Sequence, residues 1–102
     1  MDLVVTVKEI KGTCPVYQVG DTIVIREGFI LDTEKSSDVC MHSLASIMPY
    51  YVALSRGVLP KALGLSGPRE GRAYLQCLDP CNITGGGTVI FEIAGSDGVT
   101  CE

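Results

Sequence analysis

The chain has 102 residues, 46% of them apolar and 20% charged, with a net charge of −4 and a mean hydropathy of +0.31. That length allows one hydrophobic core and no second domain. Eight Lys and Arg against twelve Asp and Glu argue against a broad nucleic-acid footprint, and the apolar fraction argues against a disordered body.

Residues 3–10, Leu-Val-Val-Thr-Val-Lys-Glu-Ile, are dense in β-branched types and predict a first strand. Lys11-Gly12-Thr13 breaks it, and Cys14-Pro15 follows in a turn or extended conformation. Gly20-Asp21 turns the chain into a second strand, Thr22 to Arg26, with Ile23 and Ile25 on one face. A charged connection follows, with a short strand around Phe29 to Leu31. A helix is then expected from Ser37 or Asp38, both good caps, to Arg56-Gly57. Pro49 lies inside it and predicts a kink or two short helices meeting near Met48. The run is apolar on most sides, so one face can cover a sheet while another meets a second subunit.

Residues 57–72 read as a connection with a helical turn at Lys61 to Leu65. Ala73 to Leu78 and Thr88 to Ile93 alternate as strands, and the nine residues between them exceed an ordinary hairpin loop. Gly85-Gly86-Gly87 reads as a flexible hairpin turn, because no Gly-Lys-Ser/Thr follows and the next element is a strand. The fold class is therefore α+β: a small antiparallel sheet in ββ-α-ββ order, covered by one kinked or split helical layer. Residues 1–94 form the single domain, and 95–102 a flexible C-terminal tail in which Cys101 is dispensable.

Asp2 precedes the first base, Lys8, which is not the pattern of a secretory leader. The uncharged run Val39 to Ser55 has 17 residues, short of the ~20 needed to span a membrane. We expect a cytoplasmic protein with no membrane or nucleic-acid partner. Because Val39 to Ser55 offers water no charge, we also expect self-association as a homodimer.

Five cysteines in such a compartment do not read as a disulfide framework, and the odd count agrees. Four of them fall at element ends, where sites are built: Cys14, Cys40, Cys77 and Cys81. Zinc and iron–sulfur clusters both take four such ligands, although paired Cys-x-x-Cys knuckles are missing. Fully extended, Cys77 and Cys81 lie roughly 13 Å apart, so Asp79-Pro80 must turn the chain for both to serve one centre. His42 is the single histidine. On a regular helix it points about 200° away from Cys40, so both can face one metal only if the first turn is distorted. The alternatives are cysteines that merely pack, in a structural or interaction protein, and a thiol enzyme using Cys40 or Cys77. Asn82-Ile-Thr84 matches a glycosylation acceptor without the secretory context to use it. Tyr50 and Tyr51 flank the kink as core and rim residues. No substrate or small-molecule ligand can be named from the residues.

The run Cys14-Pro15 with Gly20-Asp21, the segment Val39-Cys-Met-His-Ser-Leu44 with Pro49-Tyr50 and Ala53-Leu54, and Gln76-Cys-Leu-Asp-Pro80 followed by Gly86-Gly-Thr-Val-Ile-Phe-Glu-Ile93 together resemble a small prokaryotic family. Its members are cysteine-containing single domains of this length, and the resemblance covers residues 3–94. It implies the single domain and carries no activity. Cys14, Cys40, His42 and Cys77 have counterparts in that pattern, whereas Cys81 often corresponds to glycine. The resemblance thus implies three cysteines plus His42 as a competing ligand set.

Overall fold

The computed structural model describes residues 1–95. In chain order the elements are β1 (Leu3–Gly12), β2 (Thr22–Arg26), β3 (Ile30–Leu31), α1 (Met41–Ile47), α2 (Tyr51–Ser55), a 3-10 turn (Pro60–Leu63), β4 (Ala73–Gln76), α3 (Cys81–Thr84) and β5 (Gly87–Gly95). The strands form one sheet in the order β3-β2-β1-β5-β4, antiparallel throughout. The expected α+β class and antiparallel sheet are what the chain adopts, with the short strand β3 and helix α3 added to the ββ-α-ββ order.

Alternation selects the covered face. Leu3, Val5 and Val7 of β1, Ile23 and Ile25 of β2, Ala73 and Leu75 of β4, and Val89, Phe91 and Ile93 of β5 are buried together. Ile47 of α1 and Leu54 of α2 close over them. The β1–β5 register shifts between Val7 and Glu9, leaving Lys8 outside the pairing, so the inward phase passes from Val7 to Ile10 opposite Val89. The bulge keeps the end of β1 in contact with the core.

The helical layer is split as expected. Met48 still donates its amide to Leu44 O at 2.9 Å, Pro49 has none to give, Tyr50 N closes only a tight turn onto Ile47 O at 3.0 Å, and the i to i−4 pattern resumes from Leu54 N to Tyr50 O. The expected start at Ser37 or Asp38 is corrected: α1 begins at Met41, and Cys40 is its N-cap with extended φ −82° and ψ 131°. The serines are engaged beside β2 instead. Val24 N–H donates to Ser36 Oγ at 2.9 Å, and Ser37 N–H to Thr22 O at 2.9 Å. A segment held extended along a strand cannot already be helical.

Two further corrections concern the second hairpin. β4 stops at Gln76 rather than Leu78, and the connection expected as a flexible loop contains α3, ended by Gly85 at φ 77°. Gly95 is the last residue of β5, opposite Leu3. The rest of the expected tail, with Cys101, lies outside the described residues. Among the described residues, no helix is long and apolar enough to cross a membrane.

The sheet's other face carries a buried carboxylate. Glu92 is 4% exposed. Its Oε1 lies 3.2 Å from Nη1 of both Arg69 and Arg72, and its Oε2 accepts the Tyr74 hydroxyl at 2.6 Å. Burial alone would raise its pKa, but the Tyr74 bond and the two guanidiniums outweigh that and hold the carboxyl below its ordinary 4.5. Tyr74 also donates its amide to Leu65 O at 2.9 Å and accepts Arg69 N–H on its hydroxyl at 3.3 Å. Gly67 lies so close to the Tyr74 ring that a Cβ there would stand 2.4 Å from Cδ2.

Candidate functional site

The end of β1, the end of β4, the start of β5 and the N-cap of α1 meet at one end of the covered face. β5 is antiparallel to both its neighbours, which brings Gly87 opposite Gly12 and Val89 beside Cys77. The approach is tight: a Cβ on Gly87 would lie 2.6 Å from the Thr13 carbonyl carbon and 2.7 Å from Cys14 N. Only a glycine lets the Cys14 turn lie against β5.

A cavity of about 200 Å³ opens there, lined by Cys14, Pro15, Val16, Tyr17, Cys40, His42, Ser43, Cys77, Asp79, Gly87 and Val89. It is far larger than the ~10–15 Å³ that a single water requires. Four of the five expected site residues, Cys14, Cys40, His42 and Cys77, therefore share one wall-to-wall space. Cys81 does not line it. Its sulfur meets Asn82 Oδ1 at 4.0 Å, and its Cβ packs toward Gly12 at the end of β1.

The helical spacing of Cys40 and His42 does not apply at the cap. The 200° separation assumed both residues to be helical, but Cys40 is extended, so its side chain is not bound to the helical wheel.

A hydroxyl network fixes this corner. Tyr17 is 3% exposed and stands edge-on to Phe91, with ring centroids 5.6 Å apart. Its oxygen accepts the Cys40 amide at 2.8 Å and lies 2.7 Å from Ser43 Oγ. Ser43 gives its own hydrogen to Cys40 O at 2.7 Å, so Tyr17 must be the donor to Ser43. Burial is the largest influence on the Tyr17 phenol and raises its pKa above the ordinary 10.0. The orphan amide at the start of α1 is thus satisfied by a tyrosine from a distant turn rather than by a local cap.

Backbone amides address two of the sulfurs. Tyr17 N–H donates to Cys14 Sγ at 3.4 Å, and Val89 N–H to Cys77 Sγ at 3.3 Å. Cys77 Sγ also lies 3.5 Å from Gly87 O, as a thiol donor would. Amide bonds of this kind orient sulfur ligands and tune thiolate centres.

Asp79 was not foreseen as a site residue. Its Oδ1 accepts the Thr84 hydroxyl, which in turn accepts Gly86 N–H at 3.1 Å, and its backbone carbonyl accepts the Thr88 hydroxyl. Gly86 makes room for it, since a Cβ there would sit 2.3 Å from Asp79 Oδ2. The Asp-Pro step with a threonine and a glycine run downstream was the available signal. Tyr17 and Ser43 gave none.

Among the described residues, no group of three or more His, Cys, Asp or Glu side chains is disposed to hold a metal ion. The donors line a cavity rather than close on a point. Against protein-family models, curated proteins and solved structures the chain finds no match, so the site speaks through its own geometry.

Proposed function

We propose that this protein is a small binding module whose thiol-lined cavity takes a thiophilic metal ion, zinc before an iron–sulfur cluster, with Cys14, Cys40 and Cys77 as the sulfur donors. One observation carries this: three free cysteines beside the ends of three separate elements, with His42 and Asp79, line the same cavity. Thiolate, imidazole and carboxylate donors are the set zinc accepts. Amides aimed at Cys14 and Cys77 support thiolate ligation. Binding draws the donors inward from the walls they occupy. Cys81 is outside the proposed set, and the fourth donor is His42 or Asp79. The reading requires reduced thiols and therefore a reducing compartment, the cytoplasm.

A second reading, cysteines that only pack, is favoured by Cys77, which is 6% exposed and belongs to the core cluster. Metal analysis of protein purified without chelator separates the two, followed by zinc titration of the apo form. We expect about one zinc per chain, release of protons on binding, and loss of uptake in Cys14→Ser and Cys77→Ser. Iron with visible colour would move the assignment to a cluster. Wild-type protein that takes up neither zinc nor iron would leave the packing reading standing.

A further inference from the structure

We infer that Cys14 and Cys77 are a redox pair: a peroxide joins them in a disulfide beside Gly87, and that bond withdraws two sulfur donors from the cavity. The disulfide stands on the geometry alone, while its effect on metal uptake rests on the function proposed above. Cys77 follows β4, and its Sγ lies 3.5 Å from Gly87 O. Cys14 follows β1, and its amide nitrogen would lie 2.7 Å from a Cβ on Gly87. Gly87 alternates in phase with Val89, Phe91 and Ile93, so that Cβ position points to the covered face, where both cysteines line the cavity. The two residues thus flank one glycine, which puts no side chain between their sulfurs.

The two thiols are unlike in the way a sensing pair requires: one accessible, one sheltered beside it. Cys14 is half-buried, on a turn outside the strands, and its sulfur is held by the Tyr17 amide alone, at 3.4 Å. A rotamer change at Cys14 releases that sulfur without moving the backbone. Cys77 is 6% exposed, so an oxidant in solvent meets Cys14 first. The Cys14 thiolate attacks one oxygen of hydrogen peroxide, the O–O bond breaks and hydroxide leaves, which gives a sulfenic acid. The Cys77 thiol then gives up its proton and its sulfur attacks that of Cys14. The S–S bond forms, the S–O bond breaks, and the hydroxyl leaves with the proton as water. Two thiols have lost two electrons, and the peroxide has become water. Cys40 is a poorer partner, because the Cys14 sulfur and the Cys40 amide are held at opposite ends of Tyr17, by its amide and its hydroxyl. Disulfides in a reducing compartment are of this transient kind.

The test treats the metal-free full chain with hydrogen peroxide, then unfolds it, alkylates it with iodoacetamide and sequences its peptides by mass spectrometry. The expected product is a chain lighter by two hydrogens, with Cys14 linked to Cys77, Cys40 and Cys81 alkylated, and the bond reversed by dithiothreitol. Cys40→Ser should still form it. Cys14→Ser, at a half-buried position, should leave Cys77 free to be alkylated after the same treatment. Zinc titration before and after oxidation reads the consequence: uptake should be lost with the disulfide and return with dithiothreitol. A bond between any other two cysteines, a bond between chains, or a Cys14 sulfinic acid beside a free Cys77 overturns the inference. So does a disulfide-bonded protein that takes up zinc as the reduced one does. Reduced protein that binds no zinc but forms the Cys14–Cys77 bond would remove the metal reading and leave the redox pair established.

Discussion

The sheet buries polar groups at two places, and they differ in what is left over. On the open face both oxygens of Glu92 are answered, by Arg69, Arg72 and Tyr74. The cluster fastens residues 65–72 across the strands. At the end of the covered face Tyr17, Ser43 and Cys40 are equally well satisfied, yet the side chains around them enclose a cavity. A closed polar cluster is a fastener. A satisfied frame around a space is a site.

The comparison breaks first at Glu92. Removing a carboxylate from a buried pair leaves its partners uncompensated, and Glu92→Ala should cost about 3 kcal/mol, the low end for such losses because Arg69 is half exposed. Chemical denaturation checks it, and zinc uptake by the folded protein should be unchanged. Because the folded-state pKa of Glu92 lies below 4.5, its contribution is present above that pH and is lost as the pH falls through the folded value. Wild-type stability should therefore decline below pH 4.5 more steeply than that of Glu92→Gln. Equal slopes would show that the carboxylate is not held by charge.

At the other cluster, Tyr17→Phe keeps the ring on Phe91 and removes the hydroxyl. The Cys40 amide and the Ser43 hydroxyl then lose a partner, an expected cost of about 1–2 kcal/mol. Unlike Glu92→Ala, this change should also weaken zinc binding, since the N-cap carrying Cys40 is freed. A variant that loses stability but binds zinc as tightly as wild type would make the Tyr17 network a second fastener and not a frame.

How much of this was legible in the sequence differs between the two clusters as well. The strands were readable because inward residues alternate: Val89, Phe91 and Ile93 mark their face without any partner being known. Pro49 announced the split helix for the same local reason. The start of α1 was misread because Ser37, a good cap by type, gives its amide to Thr22 O while its neighbour Ser36 bonds Val24, contacts with β2 that no local pattern encodes. Cys14, Cys40 and Cys77 were readable as candidates from their places at element ends. Cys81 shared that property yet is turned aside by α3, and Asp79 entered the cavity through the same loop. Glu92 broke no pattern, being an ordinary outward residue in its strand. Only the return of Arg69 and Arg72 over the sheet makes it buried.

The smallest effect is expected at Cys81, and it sharpens the boundary of the site. Its sulfur has one long contact, to Asn82 Oδ1 of the adjacent residue, and its backbone amide bonds Thr88 Oγ1 at 3.4 Å whatever the side chain. Cys81→Ser should therefore stay within about 0.5 kcal/mol of wild type, as substitutions without buried partners do. Cys77→Ser is the matched contrast, because it removes from the core the sulfur that accepts the Val89 amide. The pair is to be measured side by side, by denaturation and by zinc titration. If Cys81→Ser abolishes uptake while leaving the fold intact, α3 must swing its sulfur into the cavity on binding. The donor set would then be the four cysteines, and the frame around the cavity would be a moving one.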